Sequence, residues 1–310
     1  MTSVFIDGAV GTTGLEIGDR LAGRGDITLI RLSEERRRDA DARAEALNAA
    51  DVVILCLPDE AAREAVALIE NPQTRVIDAS TAHRTAPGWV YGFPELEPGG
   101  REAVAAAKRV ANPGCYPTGF LALVRPLVRG GLLDPGALLS VNAVSGYSGG
   151  GKALAARFED ERDPEHIDTA FRAYGLGLGH KHVAEMRAHA GLAHAPVFLP
   201  AVVNTYRGMI VEVPIHLGQA GGSVVRLRDC LAAAYAGSAT VTLNRDPHAE
   251  LFVERQAGTD RIELFVFGED RHGQARLIAA LDNLGKGAGG AAVQNLNLMA
   301  GLPETAGLRL

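Results

Sequence analysis

The chain is poor in the residues that cross-link small folds: its 310 residues include three cysteines, Cys56, Cys115 and Cys230. An odd number with no close pair supplies neither a disulfide framework nor the spacing of a metal site, so no metal is expected and a reducing cytoplasm is the expected compartment. Tryptophan occurs once, and aromatic residues make up 5%. Positive charge is also short: 31 Lys and Arg face 37 Asp and Glu, a net charge of −6. That balance argues against a nucleic-acid partner, which requires clustered cations. No apolar run reaches the roughly 20 residues of a membrane-spanning helix, and Met1 leads into a strand-like stretch without the basic flank and cleavage site of a leader. A soluble, unprocessed chain with no membrane partner is the expectation. What is present, 47% hydrophobic and 22% charged residues, is ordinary for a globular protein, and the length is that of two domains.

Apolar periodicity divides the chain into two textures. In the first third, short apolar runs at 3–6, 27–32, 52–57 and 76–78 alternate with helical patterns at 13–24, 39–48 and 59–69, the order of a parallel sheet covered by helices. Beyond residue 115 the strand candidates, at 138–144, 197–203, 208–217, 249–254 and 261–269, are longer and partly alternating. Fewer helices separate them, which points to a mixed or antiparallel sheet. Cys56 falls inside a strand and reads as a buried structural thiol, and Cys230, opening a helix at 231–235, reads as packing. A Gly-rich and then helical stretch at 283–302 fits neither texture.

Cys115 stands in the run Asn112-Pro113-Gly114-Cys115-Tyr116-Pro117-Thr118-Gly119. There an extended segment at 109–111 gives way to an apolar, helix-like run at 118–127. A thiol at a helix N-terminus meets unpaired N–H groups and the positive end of the helix dipole, which favour the thiolate. Gly114 permits a tight turn, and Pro113 and Pro117 restrict the chain on either side. A small buried hydrophobe is the competing reading of any cysteine. The prolines and glycines crowded around this one favour a nucleophile.

Gly8-Ala9-Val10-Gly11-Thr12-Thr13-Gly14 follows the first strand and opens a helix. Glycines at that turn bring a pyrophosphate against the helix N-terminus, so Gly8, Val10, Gly11, Thr12, Thr13 and Gly14 are cofactor candidates. After the second strand, where an NAD site often places an acidic residue on the ribose, the chain offers Ser33 and then Arg36, Arg37 and Arg38. A hydroxyl and guanidinium groups suit a 2′-phosphate, so NADP is expected over NAD; a solvated helix face is the alternative for the arginines. In Gly179-His180-Lys181-His182-Val183-Ala184-Glu185, a helix starting at Val183 puts His182 and Glu185 on one face. The carboxylate can then orient the imidazole of an acid or base. His180, freed by Gly179, is the alternative for that role.

With Asp78-Ala79-Ser80-Thr81-Ala82-His83-Arg84, Ser145-Gly146-Tyr147-Ser148-Gly149-Gly150-Gly151-Lys152 and residues 286–303, these runs make the chain resemble the N-acetyl-gamma-glutamyl-phosphate reductase family in its shorter form, NADP-dependent enzymes of arginine biosynthesis. The runs follow the family's order over nearly the whole chain, and the cysteine-centred one is the most specific. The resemblance implies an α/β fold with a Rossmann dinucleotide-binding domain over 1–115. It implies an α+β catalytic and dimerisation domain with a mixed sheet over 116–285, like those of aspartate-semialdehyde and glyceraldehyde-3-phosphate dehydrogenases. A C-terminal helix over 286–310 would return to the first domain. Ser80, Ser145, Gly146 and Asn295 join the cofactor candidates, with residues 286–295 closing over the nicotinamide, and a homodimer or homotetramer is implied.

The resemblance also implies a reaction. The Cys115 thiolate attacks the carbonyl of N-acetyl-glutamyl 5-phosphate, phosphate leaves, and the thioester accepts hydride from NADPH to give N-acetyl-glutamate 5-semialdehyde. His182 or His180 protonates or holds the hemithioacetal oxygen. In reverse, inorganic phosphate cleaves the thioester. Arg84, Lys152 and Arg207 are candidates for holding the phosphate or the substrate carboxylate, structural ion pairs being the alternative. Aspartate-semialdehyde dehydrogenase shares nucleophile, cofactor and fold and is the nearest alternative. A carrier-linked acyl phosphate, an NADP-binding redox sensor and a cysteine hydrolase, for which the glycine loop is superfluous, lie further off.

Overall fold

Aliphatic and β-branched runs bounded by glycine, proline and asparagine become the strands of two sheets. The computed structural model describes residues 1–310, the Arg38 side chain excepted. Residues 1–114 and 288–308 form one compact unit, and residues 115–287 with 309–310 form the other.

In the first unit β1 (Thr2–Asp7), α1 (Thr12–Leu21), β2 (Ile27–Ile30), α2 (Ala40–Ala49), β3 (Val52–Leu55), α3 (Asp59–Ala67), β4 (Arg75–Asp78), β5 (Val90–Tyr91), α4 (Gly100–Ala106) and β6 (Arg109–Ala111) follow one another. The strands lie in the order β2-β1-β3-β4-β6-β5, every pair parallel. All four residues of β3 are buried, as in a sheet covered on both faces. Successive strand residues feed opposite cores: Val4, Ile6, Ile54 and Ile77 one, Phe5, Val53, Leu55 and Val76 the other. The strand order reverses between β1 and β3, the point where such sheets open a crevice for ligands.

The second unit contains α5 (Cys115–Arg129), β7 (Ser140–Gly146), α6 (Gly151–Glu159), β8 (Phe171–Ala173), α7 (His182–Ala190), β9 (Val197–Val203), β10 (Met209–His216), α8 (Val224–Ala234), β11 (Val241–Leu243), β12 (Ile262–Glu269) and β13 (Gln274–Leu281). Its sheet runs β11-β12-β13-β10-β7-β9-β8. The pairs β11/β12 and β7/β9 are parallel and the rest antiparallel. Helix α5 packs on β10 and β13, with α7 and α8 beside it. Gly119 sets that close approach, since a Cβ there would lie 2.7 Å from Val211 Cγ2. The residues under the helices, Val141, Val211, Val213 and Leu277, are fully buried, each contributing about 1.5–3 kcal/mol.

Two expectations are corrected here. Residues 249–254 form no strand; Leu251 instead packs from a loop against Phe265, Ile278 and Ala280, so an apolar anchor was mistaken for a strand. Cys230 lies well inside α8 rather than at its start, because the Ser223 side chain accepts the Val225 N–H and fixes the helix start seven residues earlier. Strand β13, paired with β10 on one edge and β12 on the other, occupies a stretch that periodicity leaves unassigned.

After β13 a single π turn at 285–289 leads to α9 (Gly290–Ala300). Helix α9 belongs to the first unit, where Ala292, Val293, Leu296 and Met299 join the core of Ile17 and Leu21. Its buried polar residues are bonded: Gln294 donates to Glu95 and Glu304, each at 2.7 Å, and Asn297 to the Glu304 and Ala306 carbonyls, each at 2.9 Å. Among the described residues no helix is long and apolar enough to cross a membrane.

Candidate active site

The glycine loop of the first unit is built for an anion. Gly11 precedes α1 with no side-chain bond to the helix's first N–H groups, which leaves those donors and the dipole available. Gly8 has φ of +86°, and a Cβ on it would lie 2.3 Å from the Cys56 carbonyl oxygen; one on Gly14 would lie 2.4 Å from the Gly8 oxygen. Only glycine closes the loop. Val10 is exposed at its tip, and Thr12 and Thr13 form the first turn of α1.

A cleft of about 860 Å³ adjoins the loop. Arg37 lines it, with Glu34 as ion-pair partner at 2.6 Å. Arg36 does not line it and pairs with Glu45 at 3.0 Å, while the Ser33 hydroxyl donates to Glu35 at 3.0 Å. The Arg38 side chain lies outside the described residues. Two arginines that sequence reasoning missed also line the cleft. Arg43, on α2, donates to Asp7 at 2.7 Å. Arg31, directly after β2, has no ion pair among the described residues. Its signal in the sequence was its place at the strand end, where a ribose selector sits.

At the ends of β4 and β6 the buried Asp78 accepts from the Ser80 N–H at 2.8 Å and hydroxyl at 2.7 Å and bonds His83 Nδ1 at 2.6 Å. Arg84 donates to the Asn112 carbonyl at 3.0 Å and the Ala79 carbonyl at 3.1 Å. Asn295 donates to the Gly92 carbonyl at 2.9 Å and to Asn112 Oδ1 at 3.0 Å. Its own buried Oδ1 has no hydrogen-bond partner among the described residues. A buried acceptor left without a donor is costly unless a ligand supplies one, and a nicotinamide carboxamide carries such a donor. The glycine cradle and this acceptor both fit a dinucleotide.

In the second unit Cys115 is the first residue of α5 and half-buried. The π turn lies against it: a Cβ on Gly287 would come within 2.9 Å of Cys115 Cβ. Tyr116, the next residue, meets the rings of His180 at 6.3 Å, His182 at 5.9 Å and Phe198 at 5.2 Å, all edge-on. The two histidine rings are 4.7 Å apart. Tyr174 donates to the Tyr116 hydroxyl at 3.2 Å, and that hydroxyl donates to the Ala201 carbonyl at 3.1 Å. Burial first, then the neighbouring Tyr174 and Cys115, hold the Tyr116 phenol well above its usual value. Burial and Cys115 likewise push Tyr174 up to about 12, against the opposing bond to Tyr116. Burial and then the Lys181 charge hold His180 below the usual imidazole value. His182 and Glu185 occupy the first turn of α7, three residues apart and both buried.

Arg207 reaches the buried Asp282 at 3.3 Å and lies over the Tyr206 ring. Lys152 is exposed at the start of α6. Ser145 and Gly146 close β7, with the Ser145 hydroxyl donating to the Gly146 carbonyl at 3.0 Å. The other two thiols sit in unreactive settings. Burial, then the carboxylates of Asp78 and Asp7, push Cys56 up to about 12. Burial raises Cys230, which donates to the Pro126 carbonyl at 3.5 Å. Among the described residues no His, Cys, Asp and Glu cluster could hold a metal ion.

A doubly wound unit with an anion-ready glycine loop, followed by a mixed-sheet unit whose leading helix opens on a thiol, defines the class of semialdehyde dehydrogenases. Residues 32–106 match the family model of the semialdehyde dehydrogenase NAD binding domain, and residues 115–283 that of the semialdehyde dehydrogenase dimerisation domain. Within the class, the chain belongs to the N-acetyl-gamma-glutamyl-phosphate reductase family. It is 51% identical to N-acetyl-gamma-glutamyl-phosphate reductase 2 of Nostoc sp. over 98% of each chain, and 52% identical to the Brucella ovis reductase over 96% of this chain and 98% of that one. Among solved structures, aspartate semialdehyde dehydrogenase II of Vibrio cholerae, complexed with ASA, superposes with a TM-score of 0.71 over 96% of this chain and 98% of that one at 16% identity. The Candida albicans aspartate semialdehyde dehydrogenase with NADP gives 0.67 over the same shares at 13% identity. These likenesses show the fold.

Proposed function

We propose that the chain catalyses the NADPH-dependent reductive dephosphorylation of N-acetyl-glutamyl 5-phosphate to N-acetyl-glutamate 5-semialdehyde, a step of arginine biosynthesis in the cytoplasm. The observation that carries this reading is the thiol of Cys115 at the first position of α5, next in the chain to Tyr116, whose ring meets those of His180 and His182, in a chain about half identical to named reductases over nearly its whole length.

The thiolate adds to the acyl carbonyl, the bond between the acyl carbon and the bridging oxygen breaks, and phosphate departs with that oxygen and the electron pair. Bound NADPH supplies the hydride that reduces the resulting thioester. His182, with Glu185 one turn along α7, gives a proton to the hemithioacetal oxygen as it forms and takes it back when the C–S bond breaks and the thiolate is released. The glycine loop from Gly8 to Gly14 holds the pyrophosphate. Asn295 would accept from the cofactor's carboxamide, and Ser80, whose N–H and hydroxyl donate to Asp78, would help hold the cofactor. Ser145 and Gly146 remain cofactor candidates in this reading, and Arg31 and Arg37, which line the cleft, replace Arg36 as candidates for the 2′-phosphate, with Ser33 beside them in the chain. Arg84, fixed by two carbonyls, with Lys152 and Arg207, supplies cations for the substrate's phosphate and carboxylates.

A homo-oligomer accompanies this function. The helix-free face of the mixed sheet exposes Phe171, Val197 and Leu199, apolar positions that a second copy would cover to form a dimer. The function is tested by following phosphate-dependent reduction of NADP with N-acetylglutamate semialdehyde beside aspartate semialdehyde. A strong preference for the first substrate is expected. Preference for the second would make the chain an aspartate-semialdehyde dehydrogenase and overturn the proposal.

A further inference from the structure

Asn112 stands in the run that leads to Cys115, fully buried and with both ends of its amide bonded. Its Nδ2 donates to the Ala288 carbonyl at 3.0 Å, and its Oδ1 accepts from Asn295 Nδ2 at 3.0 Å. Its main chain is pinned as well: the N–H donates to the Asp78 carbonyl at 2.7 Å, and the carbonyl accepts from Arg84 at 3.0 Å. Asn295, equally buried, gives its other amide hydrogen to the Gly92 carbonyl at 2.9 Å. Gly92 admits that amide because it has no side chain; a Cβ there would lie 2.4 Å from Asn295 Nδ2. All of these residues belong to the first unit.

A main-chain carbonyl only accepts, so the nitrogen of a bonded amide must face it. The Ala288 carbonyl therefore fixes the Asn112 nitrogen towards itself and leaves Asn112 Oδ1 for Asn295. Asn112 Oδ1 and the Gly92 carbonyl then take both amide hydrogens of Asn295. What remains of that side chain is Oδ1, the buried acceptor with no partner among the described residues. The polarity of this group is thus set by two fixed carbonyls, one of them acting through Asn112.

We propose that Asn112 is a positioning residue for the cofactor: it locks the Asn295 amide with its oxygen free to accept, so that the subsite takes a carboxamide NH₂ and rejects a group that cannot donate. The inference rests on the NADP reading above. A ligand group without a hydrogen would leave Asn295 Oδ1 desolvated and unsatisfied, the costlier side of the hydrogen-bond balance. Were the Asn295 amide free to turn over, its nitrogen would serve a ligand carbonyl equally well and the discrimination would vanish. Asn112 acts only through Asn295, and the run that carries the nucleophile thereby also sets what the cofactor subsite accepts.

The probes are NADP⁺ and its 3-acetylpyridine analogue, in which a methyl group replaces the carboxamide NH₂ and the carbonyl is kept. Isothermal titration of each into the full chain gives the ratio of the two dissociation constants. A general loss of stability or of cofactor affinity leaves that ratio unchanged. The parent chain is expected to bind NADP⁺ roughly 10-fold or more tighter than the analogue, and Asn295→Leu to bind the two within about 2-fold of each other. Asn112→Leu, which removes both amide bonds, and Asn112→Ser, too short to reach either partner, should each lower the ratio by about 3-fold or more. Asn112→Asp should keep most of it, because its carboxylic acid form offers an acceptor to Asn295 and a donor to Ala288. A parental ratio in both Asn112→Leu and Asn112→Ser would make Asn112 merely structural and overturn the inference. A loss in Asn112→Asp as large as in Asn112→Ser would also overturn it. Tight NADP⁺ binding without discrimination in the parent chain would overturn it and leave the cofactor reading standing, whereas binding of neither dinucleotide would remove both. Circular dichroism on each variant separates misfolding from recognition, and the Ser against Asp comparison decides the matter even if the Leu variant fails to fold.

Discussion

Arg43 holds the carboxylate of Asp7 at 2.7 Å, and both residues line the cleft beside the glycine loop. Asp7 is only 6% exposed, so without its guanidinium partner a poorly solvated negative charge would lie beside the glycine loop proposed to hold the cofactor's phosphates. Arg43→Met is expected to weaken NADPH and NADH alike, by about 10-fold or more, because the pyrophosphate common to both meets the uncompensated charge. Titration of cofactor binding by fluorescence checks this. A loss confined to NADPH would place Arg43 on the 2′-phosphate instead.

Selection of NADPH over NADH is expected to reside in Arg31 and Arg37 rather than Arg36. Arg36 is exposed and paired with Glu45 away from the cleft, a surface pair worth about 0–1 kcal/mol. Arg31→Ala and Arg37→Ala should each raise the KM for NADPH roughly 10-fold, the loss of one charge-assisted contact, and leave that for NADH unchanged. Arg36→Ala should change neither. An effect of Arg36→Ala equal to that of Arg37→Ala would return the selectivity to the whole arginine run.

That distinction shows where the sequence stops being readable. Arg36 and Arg37 are adjacent in a 3₁₀ turn, and no residue pattern says which guanidinium faces the cleft. The strands of the first unit were legible because Val52 to Leu55 is apolar throughout and turn residues bound it. The start of α5 was legible because Pro113, Gly114 and Pro117 punctuate it, although the helix takes in Cys115 itself. Strand β13 was not, since Gln274, Arg276 and the Asp282-Asn283 pair dilute its apolar residues at both ends. The bond from the His182 main-chain N–H to Nδ1 of His180, at 3.2 Å, was invisible for a stronger reason: it depends on where one main-chain N–H points.

Burial raises both Cys56 and Cys230 above the ordinary thiol value. Cys56 stands at about 12 in the folded chain against an ordinary 9.0. A folded value above the unfolded one stabilises fully below the lower value and is lost as pH rises through the upper. Chain stability should therefore fall between about pH 9 and 12, and Cys56→Ala should flatten that fall; an unchanged slope would show that Cys56 is not the group responsible. At pH 8, iodoacetamide should label Cys115 well before Cys56 or Cys230. Cys115→Ala and Cys115→Ser should keep NADP binding and lose essentially all turnover. Wild-type-like turnover in either would remove the covalent mechanism.

Gly287→Ala is expected to displace the nucleophile. Its Cβ would lie 2.9 Å from both Cys115 Cβ and the Asp282 carbonyl oxygen, neither of them the free end of a flexible side chain. The variant should lose kcat by roughly 10- to 100-fold, as a misplacement of about 1 Å can do, with altered alkylation of Cys115. An unaltered alkylation rate would mean that the π turn does not position the thiol.

His182→Asn carries the largest expected effect after the cysteine: a fall in kcat of roughly 10²- to 10⁴-fold, the range of a lost general acid or base, with cofactor binding retained. Its place in the first turn of α7 puts Glu185 one turn away on the same face, where a carboxylate can orient the imidazole. Glu185→Gln should therefore cost less than His182→Asn and shift the pH profile without removing a limb of it. Pre-steady-state reduction of the acyl-enzyme separates the steps. A hydride-transfer step untouched in His182→Asn, with slow phosphate burst alone, would move the proton transfer to acylation; a step untouched in both phases would take His182 out of the chemistry.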